Sequence, residues 1–396
     1  MFGFNYKRIQ KEEIVMHQGV FHREIGLFEG IALIVAGTIG AGVLGVPYAV
    51  AQVGSFIGLF YLLFLGVIML GFNLLIGEIA VRTKGEFQMV GLAKKYLGTW
   101  GEVTMTLLVY FVMFGILNVY IIGEGQSLSQ LFGGDPNTWG IIFWGVATFL
   151  VYTGMRVLKV IDFFLSLIIL AVIIFISLVS VPHVETINFT YHNFTSFLLP
   201  FGVILFAYSG SGAVLESHSL LKNDKKKFKL AILISSLICI VVYILFTLTV
   251  LGVTGKATTE IATIGLGQKI GSYLFWFGNI FAALAMGMGF LAHALMFRHS
   301  LSWDYKFSKP LATLVACGVP LILFVAGFRK FIVMIDIVGG VFLTTESLLL
   351  LLIYWKAKQV GDLPTGKYKL HHVVLLSGLL VLALLVGGVY SVVKLF

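Results

Sequence analysis

The sequence predicts an all-α polytopic membrane protein of about eleven transmembrane helices. Three observations carry that expectation. Residues of the set AVILMFWYC make up 59% of the 396-residue chain and DEKR only 11%, with a mean hydropathy of +1.01. Soluble domains are roughly 45–50% apolar and about 25% charged. Apolar runs near the roughly 20 residues that a bilayer core requires recur along the whole chain, and the basic residues between them fall mostly on one side. The runs are continuous and do not alternate over about ten residues, which excludes a β-barrel. Backbone in lipid must satisfy its own hydrogen bonds, which makes each run a helix.

In chain order, residues 1–26 are polar and mixed, with Lys7, Arg8, Lys11 and Arg23 among aromatics. They show no cleavable signal pattern and read as a cytoplasmic segment, either a surface amphipathic helix or a disordered tail. The candidate spans then run over 27–51, 55–80, 103–125, 139–154, 160–181, 197–219, 230–254, 270–297, 310–327, 331–355 and 371–393. With the N-terminus inside, 22 of the 27 Lys and Arg lie on the cytoplasmic side, leaving Lys256, Lys269, Arg329, Lys330 and Lys394 outside. The positive-inside rule thus accounts for the net charge of +9 without nucleic acid. It points to an integral protein of the plasma (inner) membrane, in contact with lipid. Cys239 and Cys317, both in apolar runs, are expected as buried free thiols. Two Asn-Phe-Thr sequons, at Asn188 and Asn193, fall in a segment assigned outside.

Two spans are poor material for continuous helix. The first reads Gly37-Thr-Ile-Gly40-Ala-Gly42-Val-Leu-Gly45-Val-Pro47, with four glycines and a proline in eleven residues. The sixth carries Tyr208-Ser209-Gly210-Ser211-Gly212 near its middle. These clusters occupy matching places in two halves of nearly equal length, 27–181 and 197–355, with 356–396 left for a loop and an eleventh helix. Five spans per half make the halves inverted in topology. Taken singly, such glycines mark close helix packing; paired between halves, they mark a transporter-type site between broken helices. Pro47 would suit the start of a half-helix, where a missing N–H costs little. The expected breaks cover Gly37–Gly42 and Ser209–Gly212. Candidate ligand contacts are Gly37, Thr38, Ile39, Gly40, Ala41, Gly42, Tyr208, Ser209, Gly210, Ser211 and Gly212, with Tyr120 closing one wall. Gly40-Ala-Gly42-Val-Leu-Gly45 also spells the dinucleotide fingerprint, but no strand precedes it inside a membrane span.

The segment Gly37-Thr-Ile-Gly-Ala-Gly-Val-Leu-Gly-Val-Pro-Tyr-Ala49 resembles the first-span signature of the tyrosine and tryptophan permeases. These belong to the amino acid/auxin permease branch of the amino acid–polyamine–organocation superfamily. Asn73-Leu-Leu-Ile-Gly-Glu78, Gly91-Leu-Ala-Lys-Lys-Tyr-Leu-Gly98, Tyr120-Ile-Ile-Gly-Glu-Gly-Gln-Ser-Leu128 and Gly154-Met-Arg156 are similar to later family segments. So are Leu199-Pro-Phe-Gly-Val-Ile-Leu-Phe-Ala-Tyr208 and Phe281-Ala-Ala-Leu-Ala285. The resemblance covers about 27–300 and thins beyond. It implies a leucine-transporter-type 5+5 inverted repeat with discontinuous helices 1 and 6, and amino acid transport by alternating access. Sodium-coupled members of the superfamily carry a Thr-Ser pair in the eighth span where this chain has Met288-Gly289. The family also tends to have Gly where this chain has Glu124.

Ionisable residues inside spans cost about 2.5–3.5 kcal/mol on insertion scales and are functional candidates by default. Glu124, one turn from Tyr120, ranks first as a proton carrier, against the alternative of a solvated residue at the span end. Glu78 and Glu216 are further proton-coupling candidates, weighed against ion pairs with Arg82 and Lys222. His293 and Glu346 are expected in interhelical hydrogen bonds, and Asp336 in an exposed pair with Arg329 or Lys330. No metal motif, cofactor or catalytic constellation is expected. The sequence thus favours a non-enzymatic permease, functional as a monomer, that moves a neutral hydrophobic or aromatic amino acid with protons. A sodium symporter or uncoupled exchanger of the same fold stays open, as does an ion channel or a non-transporting amino acid sensor.

Overall fold

The computed structural model describes residues 26–154, 158–221, 224–368, 370 and 373–394, with side chains at 158–167, 303–304 and 367 left aside. The expected N-terminal surface helix lies outside these residues, and so does Lys222. Described segments are mostly helical across the expected spans, and the helices are built from the apolar runs themselves. Six helices are long and apolar enough to cross a membrane alone: Ser55–Arg82, Met89–Phe132, Lys225–Ala257, Ser272–Ser302, Phe331–Val360 and Val373–Val393. The first span adds a bent pair, Leu27–Thr38 and Gly42–Val53, at 56° to each other. Pro136–Thr153, Leu158–Ser180, Lys309–Val325 and the interrupted pair Pro200–Tyr208 and Ser211–Leu220 supply the fourth, fifth, ninth and sixth spans.

Both breaks are narrower than expected. The first helix runs through Gly37 to Thr38 and restarts at Gly42, so only Ile39–Ala41 are non-helical. The sixth is open only at Ser209 and Gly210, and Ser211 and Gly212 already belong to the next helical turn. Pro47 does not start the half-helix but sits inside Gly42–Val53, past the first turn, where it removes one intrahelical bond. The third span is longer than its apolar run, because an amphipathic helix from Met89 joins it at Gly98, whose φ of +74° makes a sharp turn. A short helix, Ala262–Ile270, precedes the eighth span and was not expected. The tenth span contains a π-helical segment at Val338–Leu343. A methyl group on Gly339 would lie 1.9 Å from the Gly202 carbonyl oxygen, so the sixth span packs directly on that backbone.

The broken spans cross at the centre. The first half of span 1 packs on the second half of span 6, and the second half of span 1 on the first half of span 6. That exchange is the pseudo-symmetry which an inverted repeat dictates. Spans 3 and 8 pack together on one flank, and spans 2 and 7 on the other.

The two ends of the bundle are tied differently. At the end where the basic loops meet, the Asp362 carboxylate accepts from the Lys84 backbone N–H at 2.8 Å and pairs with Lys95. Lys225 Nζ donates to Pro364 O at 2.8 Å in the same region. At the opposite end the ties are hydrogen bonds to helix-end carbonyls. Tyr191 donates to Ala51 O at 2.5 Å, Asn193 N to Val53 O at 2.9 Å, and Asn188 Nδ2 to Gly252 O at 2.7 Å. Glu260 caps the tenth span by accepting from Phe331 N at 3.0 Å. The Asn188 side chain is thus committed to this end, while the Asn193 side chain accepts from Thr195 N at 3.2 Å. Cys239 and Cys317 are free and buried, as expected.

Candidate functional site: the two helix breaks and the third-span glutamate

The breaks touch each other, and glycine is what lets them. A methyl group on Gly210 would lie 2.3 Å from Thr38 Oγ1, one on Gly37 2.5 Å from Ala213 Cβ, and one on Gly42 2.9 Å from Ala207 Cα. Gly40 is different: its nearest neighbour would be the Tyr120 hydroxyl at 3.9 Å, and Gly37 and Gly40 are exposed while Ile39, Ala41 and Gly42 are buried. One edge of the first break thus faces open space across from Tyr120.

Backbone bookkeeping shows what that edge can bind. Ile39 N–H is bonded to Val35 O, and Val43 and Leu44 N–H close onto Gly40 O and Ala41 O. The N–H groups of Gly40, Ala41 and Gly42 have no backbone acceptor among the described residues. In the sixth break, Ser209 N–H returns to Phe206 O and Val214 N–H to Gly210 O. The carbonyls of Tyr208 and Ser209 receive no backbone N–H among the described residues. Amide donors at a helix start beside carbonyls at a helix end match the carboxylate and ammonium of an amino acid.

Side chains sort the candidate residues further. Thr38 Oγ1 donates to Ile34 O at 2.7 Å, so its hydroxyl proton is used within its own helix. Tyr208 turns away from the open edge: its hydroxyl donates to Leu62 O at 3.1 Å and its ring packs on Tyr243 at 5.0 Å. Tyr120 is buried with its ring over Gly289, where a methyl group would lie 2.6 Å from its hydroxyl oxygen. His293 lies 5.7 Å from Tyr120 between ring centroids. Its Nδ1 is 2.8 Å from Gly289 O, so the expected interhelical bond is instead a contact within its own helix. Glycine at 289 makes room for the Tyr120 ring. The neighbouring Met288 is half-buried.

The acidic candidates differ in burial and in their partners. Glu124 is 3% exposed, which removes the solvated alternative. Its Oε1 lies 2.6 Å from the place a Gly287 methyl would take, and its Oε2 has no hydrogen-bond partner among the described residues. Glu78 is equally buried but paired: Arg82 Nε and Nη2 donate to its Oε1 at 2.8 and 2.7 Å, and Tyr354 donates to its Oε2 at 3.3 Å. Glu216 is exposed on the second half of span 6. Asp336 pairs not with Arg329 or Lys330 but with Lys394 at 2.7 Å, and it is buried rather than exposed. Arg329 is instead spent capping the ninth span, its Nε donating to Phe324 O at 2.8 Å. Glu346 is buried with no hydrogen bond to its carboxylate among the described residues, contrary to the interhelical bond expected for it. Sequence reasoning missed Tyr243, whose hydroxyl meets Ala207 O at 2.7 Å and Thr38 O at 3.0 Å. The available signal was a lone tyrosine in the middle of an apolar run, whose hydroxyl needs a partner when buried.

A bundle of inverted halves with two abutting broken helices is the architecture of a secondary transporter of the leucine-transporter type. A phenylalanine-bound structure of MhsT shares that fold, with a TM-score of 0.65 at 14% identity, covering 91% of this chain and 98% of that one. The profile of the tryptophan/tyrosine permease family matches residues 23–394, and the chain belongs to that family. Among its relatives is glutamine transporter 2 of Aliivibrio fischeri, 26% identical over 67% of this chain and 72% of that protein. Amino acid transporter AVT3B of Arabidopsis thaliana is 27% identical over 66% and 69%. Tyrosine-specific transport system 2 of Haemophilus influenzae is 29% identical over 58% and 59%. The chain is therefore an integral membrane amino acid transporter, not an enzyme.

Proposed function

We propose that this transporter moves a neutral, hydrophobic or aromatic amino acid by alternating access and couples it to protons through Glu124. The two five-helix units, 27–181 and 197–355, rock about the crossing of their broken spans. One observation carries the reading: three successive amide N–H groups, at Gly40, Ala41 and Gly42, have no backbone acceptor among the described residues, and the sixth break, which packs against them, has two carbonyls that receive no backbone N–H among those residues. The substrate carboxylate docks on the former and its ammonium on the latter, while Tyr120 bounds the side chain. The names of the tyrosine-specific relatives support an aromatic substrate.

Proton coupling is supported by two features of the third and eighth spans. Glu124 is buried without a partner for Oε2 among the described residues, so its charged state is costly until a proton or a rearrangement compensates it. Met288 and Gly289 supply no side-chain oxygen, and sodium, a hard cation, needs several oxygen ligands. The orientation follows from the charges, with the N-terminus and the Asp362 end in the cytoplasm, the plasma membrane as location and the monomer as working unit. Stereoselective, saturable uptake of labelled amino acids into proteoliposomes tests the function. A channel would lack stereoselectivity, and a sensor would bind without flux.

A further inference from the structure

Both half-helices that end at the breaks point their C-terminal poles at one buried hydroxyl. Thr38 is the last residue of the first half of span 1, and Ala207 lies in the last turn of the first half of span 6. Tyr243 of span 7 is fully buried, and its hydroxyl meets both carbonyls, at 3.0 and 2.7 Å. A helix C-terminus carries the equivalent of about half a negative charge. Two such poles brought together in a low-dielectric interior need a positive group between them, and broken-helix transporters commonly place a cation among such carbonyls. Here the single phenolic proton, shared between two acceptors, occupies that position. The ring is braced by edge-on packing against Tyr208 at 5.0 Å, whose own hydroxyl is committed to Leu62 O at 3.1 Å. Tyr243 is thereby held in place without taking part in the open edge at Gly40.

We propose that Tyr243 is a positioning residue that replaces a bound cation. Its hydroxyl clasps the two half-helix ends and sets the spacing between the amide donors of span 1 and the carbonyls of span 6. Cation-independent substrate binding follows from it, and the clasp rests on the transport reading only in using amino acid affinity as one readout. The full-length protein and its Tyr243→Phe variant are compared in chloride salts of choline, lithium, sodium and potassium. Tyr368→Phe serves as control, because Tyr368 is as buried and donates to Leu74 O at 3.1 Å, away from the breaks. Binding of labelled L-tyrosine and the thermal unfolding midpoint are both recorded.

In choline, Tyr243→Phe should bind about tenfold or more weakly than wild type, the loss expected when buried acceptors go unpaired. Lithium or sodium should restore most of that loss and raise the unfolding midpoint of this variant alone. Unchanged affinity in Tyr243→Phe overturns the proposal, as does a loss that no cation restores. A cation response shared with Tyr368→Phe, or a variant unfolded in every salt, overturns it equally. Should wild type bind no L-tyrosine, the aromatic substrate assignment fails on its own, and the unfolding midpoints still decide the clasp.

Discussion

The basic end of span 2 and the middle of span 3 each bury a glutamate to nearly the same degree, 2% exposed at Glu78 and 3% at Glu124. Glu78 has two guanidinium bonds and a tyrosine hydroxyl, so both of its oxygens are occupied. Glu124 faces a glycine of span 8 and leaves Oε2 unpaired among the described residues. Burial alone therefore does not distinguish these two carboxylates; the donors at Glu78 and their absence at Glu124 do. A paired buried charge holds helices in place, whereas an unpaired one stores a cost that protonation can relieve.

Substituting each glutamate should break that comparison in opposite ways. Glu78→Gln leaves Arg82 without its partner and should lower stability by about 3 kcal/mol, the low end for breaking a buried pair because Arg82 is partly exposed. Thermal unfolding in detergent reads this loss, and the folded fraction should keep proton-driven uptake. Glu124→Gln should keep or raise the unfolding midpoint while losing accumulation above equilibrium. Destabilisation by Glu124→Gln equal to that of Glu78→Gln would mean that both carboxylates are structural.

The glycines of the first break sharpen the contrast between holding and working. Gly42→Val must displace Ala207 and Phe206 and should cost about 1–3 kcal/mol through overpacking. Gly40→Val meets open space, so it should fold normally and still lose amino acid binding, because a β-branched side chain shields the amide N–H groups. Binding isotherms alongside unfolding curves separate the two.

How much of this was legible in the sequence depended on whether a residue acts through pattern or through a single distant partner. Clustered glycines at matching places announce two broken spans, because helix propensity is local and additive. Asp336 was misread because its partner, Lys394, lies at the far end of span 11, and the nearby Arg329 was the visible alternative. Tyr243 was invisible for the same reason: its two acceptors sit 205 and 36 residues away. The long third helix escaped because Met89–Leu97 is amphipathic and falls below an apolar-run reading, and the break widths escaped because glycine tolerates helix in membranes.

A third pairing lies between these extremes. Lys394→Met should leave the Asp336 carboxylate buried without its cation and cost about 1–3 kcal/mol, toward the lower bound since Lys394 is over a third exposed. Adding Asp336→Asn should recover most of the loss, and an additive double variant would show that the ion pair contributes nothing.

The smallest effect is expected at Asp362, where the Lys95 ammonium and the Lys84 N–H hold the carboxyl below its usual range. A depressed folded value stabilises the loop above the unfolded carboxylate pKa, and that contribution is lost as pH falls through the folded value. Amide protection factors in residues 83–88 and 361–365, taken relative to the intrinsic exchange rate at each pH, should therefore fall at acid pH, and Asp362→Asn should abolish that fall.

Proton coupling through an unpaired carboxylate is tested most directly by one experiment on wild type and Glu124→Gln. Proteoliposomes in sodium-free choline buffer, with an inwardly directed proton gradient, are given labelled L-tyrosine. Wild type should accumulate it above equilibrium and lose the excess when the gradient is collapsed, while Glu124→Gln should only equilibrate it. A strict sodium requirement in wild type, or gradient-driven accumulation surviving in Glu124→Gln, would contradict the assignment of Glu124 as the proton carrier.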